Sequence, residues 1–171
     1  MRKAAYIFVG LSLVAGATLF VLVRRHYTPL PSADRVLIEK GPRRLTLLRE
    51  GKVIKTYRVA LGSNPLGHKQ EEGDGRTPEG VYTIDFHKAD SDYHLALHIS
   101  YPNPADVSRA NARGVSAGGD IMIHGLPNEQ GEIGVAHGLR DWTAGCIAVT
   151  DREIEEIYRA VADGTPVEIR P

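Results

Sequence analysis

The residues able to do chemistry concentrate in residues 121–150, IMIHGLPNEQGEIGVAHGLRDWTAGCIAVT. This stretch holds the chain's single cysteine, Cys146, and two histidines each followed by glycine, His124-Gly125 and His137-Gly138. A cysteine nucleophile needs a base, room for a substrate, and backbone N–H groups facing the oxyanion. Either histidine could serve as the base. Gly145 removes a side chain directly before Cys146, where a carbonyl must approach. Thr143, Ala144 and Gly145 are small, so their N–H groups would be accessible. The same residues have plainer readings. A buried cysteine is often a small hydrophobe, and a His-Gly pair is often a turn. A zinc site from His124, His137 and Cys146 lacks the CxxC or HExxH spacing that would support it, so neither metal nor cofactor is expected.

Elements on either side must position these groups. GDIMI (residues 119–123) is an apolar run that predicts a buried strand ending at His124. After Cys146, Thr150-Asp151-Arg152-Glu153 forms a capping box. Ile154, Ile157, Tyr158 and Val161 follow at helical spacing, and Gly164 and Pro166 stop the helix. Upstream, residues 36–38, 45–48 and 53–59 are short β-prone runs separated by Gly41-Pro42 and Glu50-Gly51, which predicts a meander. Residues 80–86 and 95–100 read as further strands, 105–113 as a short helix and 167–169 as a last strand. His98 alternates with apolar neighbours and reads as structural. The Gly-rich, charged loop 62–77 is long enough to be functional and is expected to form a rim of the substrate cleft. The fold class is therefore mainly β with flanking helices.

At this point the residues match a family. IMIHG followed by DWTAGCIAVT, with GDGRTPEGVYTI (residues 73–84) upstream, resembles the YkuD-type L,D-transpeptidase domain of bacterial wall enzymes. The resemblance covers residues 35–171 and implies a YkuD-like β-sandwich. This chain departs from the common pattern in having Ala144 where a histidine precedes Gly-Cys, and Ala148 where Arg or Asn often stands. The spacer from His124 to Cys146 is also long.

The resemblance implies acyl transfer on peptidoglycan stem peptides. Cys146 attacks a peptide carbonyl and forms a thioester. His124 is the base, oriented by the Gly125 carbonyl, with Asp141 as the side-chain alternative and His137 as the competing base. The N–H groups of Cys146, Gly145 and Ala144 are expected to hold the oxyanion. Arg140 is a candidate, by charge alone, for the donor's terminal carboxylate. An amine acceptor gives an L,D-transpeptidase. Water gives an L,D-endopeptidase or carboxypeptidase from the same site, and a non-catalytic wall-binding module is the rival of a different class.

The chain has 171 residues, room for one domain and an appendage. A formal net charge of zero argues against nucleic-acid binding, and 42% hydrophobic residues argue against disorder. The appendage is residues 1–25, within which residues 4–23 carry no charge. Such a helix would span about 30 Å, the thickness of a hydrocarbon core. A core helix would show a polar face. Cleavage at Ala15-Gly16-Ala17 would leave TLFVLV exposed. An uncleaved transmembrane signal-anchor is the preferred reading, single-pass in the cytoplasmic membrane. Residues 26–34 form a Pro-containing linker, and the catalytic domain 35–171 lies on the outer, periplasmic face.

Overall fold

The computed structural model describes residues 29–171. The sequence-predicted membrane segment 1–25 lies outside these residues, as do residues 26–28 of the linker. Among the described residues no helix is long and apolar enough to cross a membrane.

Among the described residues, eight strands and two α-helices follow the meander and the flanking elements read from the sequence. They are β1 (Arg35–Glu39), β2 (Arg44–Arg49), β3 (Lys52–Arg58), β4 (Gly80–Ser91), β5 (His94–Ile99), α1 (Pro104–Ala112), β6 (Met122–His124), β7 (Ile147–Ala148), α2 (Asp151–Ala160) and β8 (Pro166–Arg170). A 3₁₀ segment, Gly131–Leu139, precedes β7. Local chemistry explains several boundaries. The Glu50-Gly51 turn between β2 and β3 takes positive φ at both residues, 52° and 73°, the backbone sense that suits a two-residue hairpin. Asn103 caps α1 and Thr150 caps α2, each with a complete capping box.

The strands hydrogen-bond in the order β3-β2-β1-β8-β4-β5-β6-β7. β4 joins the two halves, because Gly80–Thr83 pairs with β8 and the stretch from Ile84 onward pairs with β5. The layers of the expected sandwich are thus halves of one curled sheet. The curl brings the two ends of the sheet together. Ala60, just beyond β3, exchanges both backbone hydrogen bonds with Ala148 of β7, at 3.0 and 2.8 Å.

A single core fills the space between the halves. Val36 and Ile38 of β1 lie in register with Val167 and Ile169 of β8, and all four are buried with Leu45, Leu47, Ile84, Leu97 and Ile123. α2 adds Ile154 and Ile157, both at 0% exposure. Each such side chain stabilises by about 1.5–3 kcal/mol through removal from water.

One expectation needs correction, and two elements had no expectation. The strand reaching His124 begins only at Met122, because Gly118 and Asp120 take positive φ, 72° and 53°, and break the extended backbone. β7 and the 3₁₀ segment carried no periodic signal. Two residues are too few to show alternation.

Because the Thr150 cap starts the helix that delivers Ile154 and Ile157, Thr150→Ala should cost about 1 kcal/mol. Urea unfolding should show a lower midpoint with an unchanged slope.

Candidate active site

Cys146 and His124 come together through the β6–β7 ladder. The strands are parallel, with Ile123 opposite Ile147 and His124 opposite Ala148. Side chains two residues apart share a face, so Cys146, two residues before Ala148, comes to the His124 face. Both line one cavity of about 850 Å³.

The local backbone makes Gly145 obligatory. Its φ is +137°, and a Cβ there would stand 2.7 Å from the Arg76 carbonyl oxygen. A Cβ on Gly62 would meet the Gly75 carbonyl oxygen at 2.1 Å and the Gly145 Cα at 3.1 Å. The loop 62–77 therefore packs behind the cysteine turn. The cleft rim comes instead from the β4–β5 hairpin, with Phe86, Lys88, Asp90 and Tyr93. This corrects the sequence-based expectation. The loop is itself pinned by a buried lysine. Lys40 Nζ donates to Gly67 O, Thr77 O and Glu79 Oε1, at 2.6, 3.0 and 2.8 Å.

His124 is 4% exposed, enclosed by Tyr93 at 4.5 Å and Trp142 at 5.9 Å between ring centroids. Its Nδ1 lies 2.7 Å from the Gly125 carbonyl oxygen. A carbonyl only accepts, so Nδ1 carries the proton and Nε2 of the neutral ring has a free lone pair. Burial pushes the His124 pKa down to about 4; the Gly125 carbonyl opposes this and nearby His137 adds to it. Burial also raises the Cys146 thiol above its ordinary value, against a backbone hydrogen bond from Met122 that lowers it. The resting pair is therefore thiol and imidazole, both neutral. The thiol donates to the Asp120 carbonyl at 3.4 Å.

The other sequence-predicted residues do not all reach this cavity. Thr143 and Ala144 line the cavity with Cys146. The Thr143 N–H donates to Leu61 O at 3.1 Å, and its hydroxyl donates to Cys146 O at 2.8 Å. The Gly145 N–H donates to that same hydroxyl at 3.1 Å, so it is committed within the turn. Asp141 does not reach His124. Its carboxylate accepts from Arg43 and from the Leu61 N–H, the latter at 2.9 Å. It braces the approach to the cysteine turn.

His137 and Arg140 are not in the Cys146 cavity. They line a second cavity of about 400 Å³, with Leu126, Ile133 and Leu139. Trp142 lines both cavities. His137 is 7% exposed. Its Nδ1 and the Trp142 Nε1 are buried without a hydrogen-bond partner among the described residues, which costs about 1–3 kcal/mol each if nothing meets them. Burial lowers the His137 pKa as well.

Sequence reasoning missed Tyr93, Trp142 and Asp120. Trp142 had a signal, since the only tryptophan stands four residues before the only cysteine. Tyr93 and the Asp120 carbonyl had none, because tertiary contacts bring them in. Among the described residues no group of His, Cys, Asp or Glu could hold a metal ion.

Comparison with known proteins places this geometry. The family described as the L,D-transpeptidase catalytic domain, YkuD, matches residues 33–169. YafK of Escherichia coli K12, which carries an L,D-transpeptidase name, is 33% identical over 112 residues, covering 64% of this chain and 37% of YafK. YqjB of Bacillus subtilis, of the same designation, is 28% identical over 140 residues, 81% of this chain and 72% of YqjB. The crystal structure of the helical cell shape determining protein Pgp2 from Campylobacter jejuni is 25% identical with a TM-score of 0.59, covering 82% of this chain and 50% of that one. The chain thus spans about a third of YafK and half of Pgp2.

Gly145→Ala should lower stability by more than about 1 kcal/mol and displace the cysteine turn. Thermal unfolding and the rate of Cys146 alkylation by iodoacetamide measure both effects. Unchanged values would show that the turn tolerates a side chain.

Proposed function

Because the chain belongs to the YkuD family of L,D-transpeptidase catalytic domains, we propose that it is a cysteine acyltransferase acting on peptidoglycan stem peptides. The observation that carries the reading is the His124 tautomer. Its Nδ1 proton is tied to Gly125 O at 2.7 Å, which leaves Nε2 to accept a proton on the face that Cys146 shares.

The steps follow from that arrangement. The Cys146 thiol leaves the Asp120 carbonyl by rotating about its Cα–Cβ bond and gives its proton to His124 Nε2. The sulfur attacks the carbonyl carbon of the L-centre, and the N–H groups of Cys146 and Ala144 hold the oxyanion. The peptide C–N bond to the D-residue then breaks, and the departing amine takes the proton from His124. An acceptor amine attacks the thioester, loses a proton to His124, and releases the thiol. Water in place of the amine gives hydrolysis, and product analysis with defined muropeptides separates the two. A contribution to cell shape belongs to the same proposal, Pgp2 being named a helical cell shape determining protein.

The neutral starting pair sets the pH behaviour. A base must be unprotonated to act, so activity falls as pH drops through the His124 value. With that value near 4, the acid limb of kcat/KM should lie near pH 4 and not near the ordinary 6.5. Cys146→Ala should abolish turnover with the fold intact. His124→Ala should lose about 10²–10⁴-fold, and His137→Ala far less. A reversed order for the two histidines would reassign the base.

We also place the domain outside the cytoplasm, held to the membrane by residues 4–23. Expected results are recovery in the membrane fraction and digestion of the domain by external protease in spheroplasts. A protected domain would remove it from the wall and overturn the substrate assignment.

A further inference from the structure

The second cavity has the composition of a ligand site. At about 400 Å³ it falls in the range of small-molecule pockets, which combine apolar walls with a few polar groups. Leu126, Ile133 and Leu139 supply the apolar wall. Ile133 and Leu139 are 47% and 82% exposed, so a ligand would cover apolar surface that now faces water. The polar groups are distinctive. Arg140 lines the cavity, and its guanidinium has no ion pair or hydrogen bond among the described residues. His137 is buried with Nδ1 unpartnered, and the Trp142 Nε1 donor is likewise unmet.

Neighbouring carboxylates are already engaged. Glu153 accepts from the Thr150 N–H and hydroxyl, and Asp151 accepts from the Leu126 N–H at 2.8 Å. Among the described residues neither forms an ion pair with Arg140. Arg58, whose charge acts on His137, spends its Nε on the Gly138 carbonyl at 3.0 Å.

We propose that this second cavity binds a peptide end: a free C-terminal carboxylate on Arg140, with its small apolar residue against Leu126, Ile133 and Leu139. A guanidinium matches a carboxylate with two parallel hydrogen bonds. The peptide backbone just before the carboxylate supplies the carbonyl that the unmet donors lack. Trp142 separates this site from Cys146, so the bound peptide end lies beside the acyl-transfer cavity and not in it. Its use in bringing a second peptide to the thioester rests on the function proposed above; the binding itself does not.

Trp142 is the only tryptophan, and its fluorescence reports occupancy directly. The test uses the solubilised full chain carrying Cys146→Ala, which removes the chemistry and keeps the site. N-acetyl-alanyl-alanine is titrated as the free acid and as the C-terminal amide, each in D- and L-configuration. The acid should change the fluorescence saturably and the amide should bind at least about tenfold more weakly. Adding Arg140→Gln should weaken the acid by about the same factor and leave the amide unchanged. Preference for the D-form identifies a stem-peptide end, and preference for the L-form an ordinary protein C-terminus. In the chain with Cys146 intact, the acid should not slow alkylation by iodoacetamide. No binding, equal binding of acid and amide, indifference to Arg140→Gln, or protection of Cys146 would each overturn the proposal. Because the binding arm contains no nucleophile, its failure would leave the acyl-transfer reading untouched.

Discussion

The seam between residues 60–63 and residues 142–148 is the constraint on which the rest depends. Ala60 and Ala148 exchange two backbone hydrogen bonds, Leu61 O accepts from the Trp142 and Thr143 N–H groups, and the Ser63 N–H donates to Thr143 O. The seam closes the curled sheet and holds the cysteine turn in the same set of bonds. Its tightness explains its composition. Gly62, Gly75 and Gly145 meet backbone to backbone, with no room for a Cβ at Gly62 or Gly145. Ala148 is fully buried within it. A long charged side chain at that position would have to be accommodated inside the seam.

The electrostatics of the site follow from the enclosure that the seam creates. Tyr93 and Trp142 remove water from His124, and the low-dielectric surroundings disfavour both imidazolium and thiolate. A neutral thiol–imidazole pair results. The ordering agent is a backbone carbonyl one residue from the ring, so His124 needs no carboxylate partner. Asp141 is thereby free to brace Arg43 and Leu61.

Burial and pairing also separate two sets of residues that stand close together in the chain. His137 and Arg140 belong to the 3₁₀ segment and its exit and face the second cavity. Thr143, Ala144 and Cys146 face the first. Trp142 is the wall between them. A side chain only a few residues from Cys146 is therefore not automatically part of its cavity.

The sequence by itself determined the elements whose causes are local. The capping box at Thr150 and the spacing of Ile154 and Ile157 specified α2, and short β-prone runs between turn residues specified the meander. The order His-Gly, spacer, Thr-x-Gly-Cys singled out Cys146 as a candidate nucleophile and His124 and His137 as candidate bases, because those are statements about residue type and spacing. Only the tertiary structure decided which histidine shares a face with Cys146, since that depends on the parallel β6–β7 register. It also decided that the β4–β5 hairpin, and not the loop 62–77, rims the cleft. It fixed the proton on His124 Nδ1 and moved Arg140 out of the Cys146 cavity. Each of these rests on contacts between residues far apart in the chain, which closure of the sheet creates and no local pattern encodes.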